Sequence, residues 1–170
     1  HLDYGENKVQ EAVDKWSEIK EKKPNLQLHM IGRLQTNKVK FAVRLFDYIH
    51  SVDSERLAKK IADEQLKVKR DIKIFIQVNI GDENQKSGIR NNELDQLVKC
   101  CKTFDLNVIG LMCIPPADIN PEYYFNEMNK LNQIYNFKEL SMGMSSDYLE
   151  AVKNNSTYLR IGSSIFGQRS

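Results

Sequence analysis

The stretch "IKIFIQVNI" (72–80) limits this chain more than any other part of it. It is rich in β-branched residues and almost continuously apolar. A strand with one face in water alternates apolar and polar residues, whereas a strand covered on both faces does not. Cover on both faces is the situation of a parallel sheet. Parallel neighbours must be joined by crossovers, usually helices.

The rest of the chain supplies those crossovers. The end of a strand in "LDYGEN" precedes a helix over about 9–22, with Val9, Val13, Trp16 and Ile19 on one face. Pro24-Asn25 stops it, and "LQLHMIG" (26–32) is a strand. A helix over 35–45 and a strand over 46–52 follow. Asp53 or Ser54 then caps a helix carrying Leu57, Ile61 and Leu66. Beyond 72–80 lie the loop "GDENQKSGI", a helix over 92–103 and a strand over 106–114. Asn120-Pro121 starts a helix that runs through Phe125, Met128, Leu131 and Tyr135. A strand over 138–144, a short helix over 146–153 capped by Ser145, and a last strand with its loop at 157–167 complete the order.

About seven strands alternate with helices, without linker or repeat, so residues 1–170 read as a single α/β domain. Two closures fit: an open doubly wound sheet and a (β/α)8 barrel. The first should carry a G-x-G-x-x-G turn, and the chain has none. The barrel is therefore expected. It needs eight strands, while this sequence begins at His1 inside one. The expectation is a barrel lacking its first βα unit through truncation, cleavage or disorder, with two unpaired sheet edges.

Composition excludes other classes. The net charge is +2, with Lys and Glu interleaved in "SEIKEKK" and "ADEQLKVKR", which describes solvated helix faces rather than a nucleic-acid footprint. No apolar run approaches the ~18 residues of a membrane span. The first residues are neither Arg-rich nor apolar enough for a targeting peptide. Cys100, Cys101 and Cys113 lack C-x-x-C spacing, so reduced thiols in the cytoplasm are expected. His1, His29 and His50 are far apart in sequence and lack metal-ligand spacing.

Barrels place function at the carboxyl ends of their strands. "SMGMSSD" puts Ser141, Gly143 and Ser145 before a helix, where free N–H groups attract anions. "RIGSS" puts Gly162 and Ser163 in a turn that can form an anion nest. The loops after the last two strands are a frequent phosphate site in barrels. The plainer reading makes Ser145 an N-cap and Gly162 a turn glycine. Arg160, between Leu159 and Ile161, faces the interior. It is either a paired structural arginine or a guanidinium beside a heteroaromatic nitrogen, which it would keep unprotonated. His29 alternates with Leu28 and Met30 and also faces inward, as a satisfied core histidine or a pocket wall.

Taken in order, "YGENKVQE", "LHMIGRLQTNK", "FDYIHSVD", "IFIQVNIGDENQKSGI", "GLMCIPP", "LSMGMSSDYLEAV" and "STYLRIGSSIFGQR" resemble the pyridoxal phosphate homeostasis protein family. Its members adopt the barrel of the alanine racemase N-terminal domain. The resemblance implies a cofactor, pyridoxal 5'-phosphate. Its phosphate would be held by the loop Ser141, Met142, Gly143 and Ser145 and by the turn Gly162-Ser163. It implies Arg160 beside the pyridine nitrogen and Asn7 near the ring hydroxyl and aldehyde. His29, Ile31 and Met112 would line the ring pocket.

The family's Schiff-base lysine lies upstream of its G-E-N motif, and no residue here matches it; Lys8 and Lys38 stand in other motifs. No catalytic residue is therefore expected in this chain. The implied function is cofactor binding and buffering without turnover, with cofactor-dependent apoenzymes as further partners. A racemase-like enzyme is the alternative, and a partner-binding regulator is a third. A complete barrel is expected to be a monomer, and one with open edges to pair as a dimer.

Overall fold

The computed structural model describes residues 1–117 and 119–167. Seven parallel strands pair in chain order: β1 (Asp3–Glu6), β2 (Gln27–Met30), β3 (Tyr48–Val52), β4 (Lys73–Gln77), β5 (Asn107–Met112), β6 (Glu139–Met144) and β7 (Tyr158–Arg160). The helices between and after them are α1 (Val9–Lys22), α2 (Val39–Leu45), α3 (Glu55–Val68), α4 (Leu94–Thr103), α5 (Pro121–Ile134), α6 (Tyr148–Lys153) and α7 (Ser163–Phe166). None of the described helices is long and apolar enough to cross a membrane.

The apolar run over 72–80 has the cause its composition implies. β4 is the middle strand of the sheet, and Ile74, Phe75 and Ile76 are fully buried. Ile74 and Ile76 join the core between sheet and helices, while Phe75 packs inside with Tyr48 and Met112. The sheet is rolled into a nearly closed barrel. The ring of Tyr158 on β7 lies 5.8 Å from that of His29 on β2. In a flat sheet those strands would stand five spacings of about 4.8 Å apart, roughly 24 Å. Among the described residues β1 and β7 are not paired, which leaves one seam.

Two devices set the curvature and the lower rim. The β4–β5 register passes from Ile74↔Val108 to Phe75↔Gly110, an extra residue on β5. There a Cβ on Gly110 would stand 1.9 Å from the Glu139 carbonyl oxygen, so the neighbouring backbone admits glycine alone. At the amino end Asp47 accepts from the Leu28 N–H at 2.9 Å and from Arg70 at 2.7 Å, and it also pairs with Lys20. One carboxylate thereby ties together β2, the approach to β3, the turn after α3 and helix α1.

The structure differs from the sequence reading in several places. The helix over 35–45 is a 3-10 turn, Thr36–Lys38, leading into α2, and Asn91–Glu93 similarly precedes α4. Ser54, not Asp53, caps α3, accepting from the Leu57 N–H. Leu66 is 73% exposed rather than inward. Its place is taken by Gln65, in phase with Leu57 and Ile61, whose side chain accepts from the Ile72 N–H. Tyr135 lies just beyond the end of α5. The cap position of α6 is Asp147, and Ser145 sits in the turn before it.

Gly110→Ala is expected to lower unfolding stability by about 2–4 kcal/mol, because the clash is with backbone. Gly162→Ala, where an added Cβ meets nothing within 4 Å, is expected to change it by less than about 0.5 kcal/mol. Urea unfolding of both variants measures the contrast.

Candidate functional site

Strand alternation turns a polar set into the barrel. Asp3, His29, His50, Ser141 and Arg160 arise on β1, β2, β3, β6 and β7 and meet in one line of contacts. His29 Nε2 lies 3.2 Å from Asp3 Oδ1, and His29 Nδ1 lies 3.0 Å from His50 Nε2. His50 Nδ1 lies 2.8 Å from Ser141 Oγ. Arg160 Nη1 donates to Ser141 Oγ and Nη2 to the Cys113 carbonyl oxygen, each at 2.8 Å. An aromatic floor holds the imidazoles: His29 stacks on Tyr48 at 4.1 Å between centroids, and His50 stacks on Phe75 at 4.3 Å.

Burial lowers the pKa of His29 below its ordinary value; the hydrogen bond to Asp3 opposes this without cancelling it. His50 is driven well below, first by burial and then by the nearby His29 and Arg160. Both imidazoles are accordingly neutral at neutral pH. Burial also lowers Arg160, though from a value so high that it keeps its charge. Among the described residues no carboxylate lies within ion-pair distance of that guanidinium.

Above this set lie the loops after β6 and β7. Ser145 Oγ accepts from the backbone N–H groups of Gly162 and Ser164, each at 3.3 Å, and so staples one loop to the other. Gly143 turns the chain toward Ser145 with φ +92, and a Cβ there would meet that of Ala151 at 2.6 Å. The Met144 N–H donates to Asp147 Oδ1 at 2.6 Å, which fixes the turn before α6. Weakly held N–H groups, hydroxyls and a guanidinium with no carboxylate partner among the described residues, gathered at one end of a barrel, can receive an anion attached to a flat polar ring.

The profile of the alanine racemase N-terminal domain family matches residues 3–170. The pyridoxal phosphate homeostasis protein of Aquifex aeolicus is 39% identical over 176 residues, covering 98% of this chain and 76% of the relative. This chain belongs to the pyridoxal phosphate homeostasis protein family. The structure of PipY from Synechococcus elongatus with PLP bound aligns at a TM-score of 0.82 and 34% identity, over 96% of this chain and 80% of that one. An unknown protein from Bifidobacterium adolescentis aligns at a TM-score of 0.90 and 27% identity, over 97% and 75%.

In this homeostasis-family chain the residues singled out from sequence are distributed as follows. Ser141 and Met112 are fully buried inside the barrel, and His29, 5% exposed, is buried too. Arg160 points inward onto Ser141, and Ser145, Gly162 and Ser163 share the rim above it. Asn7 follows β1 and is exposed. Ile31 follows β2, half-buried, its N–H bonded to the Glu6 carbonyl at 3.0 Å. Met142 is the exception: its side chain lies on the other face of β6, in the core beneath the helices. Gly162 has φ −125 and precedes α7, so it is not a glycine demanded by left-handed backbone.

The sequence reading passed over Asp3 and His50. His50 had a legible signal, since it alternates with Tyr48 in "FDYIHSV". Its contact with His29 is set by the β2–β3 register, which pairs His29 with Tyr48 and brings two histidines 21 residues apart side by side.

The two buried imidazoles make stability depend on pH. On unfolding they regain the ordinary value near 6.5, so below that pH the unfolded chain binds more protons than the folded one. Stability is expected to be level between about pH 7 and 8. It should fall as pH drops from about 6.5 toward 4.5, by up to ~1.4 kcal/mol per pH unit for each imidazole. Urea unfolding in steps across this window tests it, and a flat or rising curve contradicts it.

Proposed function

We propose that this chain binds pyridoxal 5'-phosphate at the carboxyl end of its barrel. On this reading it holds and releases the cofactor, with no substrate turnover of its own. The observation that carries the proposal is the convergence of Arg160, Ser141 and the stapled loops of Ser145 and Gly162 on one end of the barrel. The PLP-bound PipY relative supports it.

The residues present fit such a group. A Cβ on Gly162 would meet nothing within 4 Å, so the rim is open at that point. Among the described residues Arg160 presents a guanidinium bonded to two neutral oxygens and no carboxylate, leaving further N–H donors for an acceptor. When bound, the cofactor supplies an electrophilic aldehyde on an electron-withdrawing ring. The chain's residues then have separate tasks. The Ser145 hydroxyl and the backbone at Gly162 and Ser163 hold the phosphate, with the backbone of Ser141, Met142 and Gly143 behind them. Arg160 keeps its proton and so keeps the adjoining ring nitrogen free of one. Asn7 orients the polar edge of the ring, while Ile31, Met112 and His29 wall it and exclude water.

Residues 1–170 act as one domain on this reading, and the recipients of the cofactor are apoenzymes in the cytoplasm. Equilibrium dialysis against pyridoxal 5'-phosphate is expected to show saturable binding. Arg160→Gln and Ser145→Ala should each weaken it about tenfold or more, the loss of one hydrogen bond to a charged group. Absence of binding by the unaltered chain overturns the proposal. Amino-acid racemisation at enzyme-like rates overturns the claim that it has no turnover.

A further inference from the structure

The line Asp3–His29–His50–Ser141–Arg160 has a direction. A guanidinium only donates hydrogen bonds and an ionised carboxylate only accepts them, and these are its two ends. Each neutral imidazole has one donor nitrogen and one acceptor. A single assignment then satisfies every contact. The Ser141 hydroxyl, accepting from Arg160, donates to His50 Nδ1; His50 Nε2–H donates to His29 Nδ1; His29 Nε2–H donates to Asp3 Oδ1. Any other tautomer sets two acceptors or two donors face to face at one of the joints. The line also joins different environments: His50 and Ser141 are almost fully enclosed, whereas the Asp3 side chain is 55% exposed.

We propose that this line is a proton relay, through which a proton reaching Ser141 from the pocket is moved two residues away and stored on His29 against Asp3. The step balances without another reactant. The incoming proton binds Ser141 Oγ as the hydroxyl passes its own proton to His50 Nδ1. His50 in turn gives up the proton on Nε2 to His29 Nδ1. His50 ends neutral in its other tautomer, and His29 ends as an imidazolium bonded to the Asp3 carboxylate. Ser141 Oγ then accepts from both Arg160 and His50, and its new hydrogen points away from both.

The charges around the line favour this resting place. His50 faces Arg160 and His29 and, among the described residues, has no acid beside it. His29 has Asp3 at 3.2 Å and Asp47 beyond it; Lys73 opposes them, while Tyr48 and Tyr158 pack against the ring as uncharged neighbours. Asp3 and His50 are therefore positioning residues, acting on the pocket through Ser141 and Arg160, while His29, a wall of that pocket, is where the proton comes to rest. For a pyridine ring held beside Arg160, the relay offers a sink for a ring proton. That last consequence rests on the proposed function; the relay itself does not.

The test reads ring nitrogens directly. With histidine labelled by nitrogen-15 and no ligand present, long-range NMR correlations give each tautomer. Near pH 8 both His29 and His50 should carry hydrogen on Nε2. On acidification His50 should change to the Nδ1–H tautomer in the same transition in which His29 becomes doubly protonated, at a pH below about 6.5. His50 keeping its Nε2–H tautomer through that transition overturns the relay, as does either ring carrying Nδ1–H near pH 8. In Asp3→Asn, a change at the exposed end of the line, the transition should move down by about one pH unit or more; an unmoved midpoint also overturns it. Repeating the series with pyridoxal 5'-phosphate separates the two ideas. A tautomer change in a chain that does not bind the cofactor retains the relay and rejects the ligand. Binding without the change does the reverse.

Discussion

A guanidinium turned into a barrel is the constraint around which this molecule is arranged. Arg160 sits on a three-residue strand with neutral oxygens as its protein partners. Taking such a charge out of water is unfavourable by several kcal/mol unless dipoles or a counter-charge replace the water. Here the replacement is a chain of oriented dipoles that starts at Ser141 and finishes at the carboxylate of Asp3. Each imidazole in that chain is stacked on a flat neighbour, so ring orientation is set by Tyr48 and Phe75 as much as by hydrogen bonds. Truncating either aromatic would loosen the whole line.

The architecture exists to bring that line together. Its members are spread over nearly the whole chain, and rolling the sheet is what makes β7 and β2 neighbours across the interior. Curvature enters in part through the extra residue on β5 and the close approach at Gly110, with further register shifts on β3 and β6. Asp47 closes the opposite end by gathering Lys20, Arg70 and the β2 backbone. The polar line thus depends on backbone geometry and an ionic cluster that lie outside it.

Much of this was legible from the residues alone. The strand–helix alternation, the buried middle strand and the inward face of Arg160 and His29 follow from periods of two and 3.6, which are local properties. What escaped was non-local or a matter of phase. His50 could be placed on an inner face but not beside His29, because register is decided by pairing rather than by either strand. Leu66 looked like a core residue by hydropathy, yet the turn of α3 gives that place to Gln65, whose amide also answers a backbone N–H. Ser145 and Asp147 both stand before α6 and both suit a cap. The choice between them was made by the facing turn, whose N–H groups Ser145 accepts. Met142 was carried into the site by the motif around it, although alternation sets it on the opposite face from Ser141.

The staple at Ser145 has a consequence for how the rim trades partners. One hydroxyl oxygen occupies the two amide hydrogens of Gly162 and Ser164 through long, weak bonds of 3.3 Å. It acts as a placeholder, keeping the turn in shape while asking little in exchange when a stronger acceptor arrives. An anion arriving there would meet a loop already ordered. The staple thus keeps the amide hydrogens of the rim gathered in one place for a stronger acceptor.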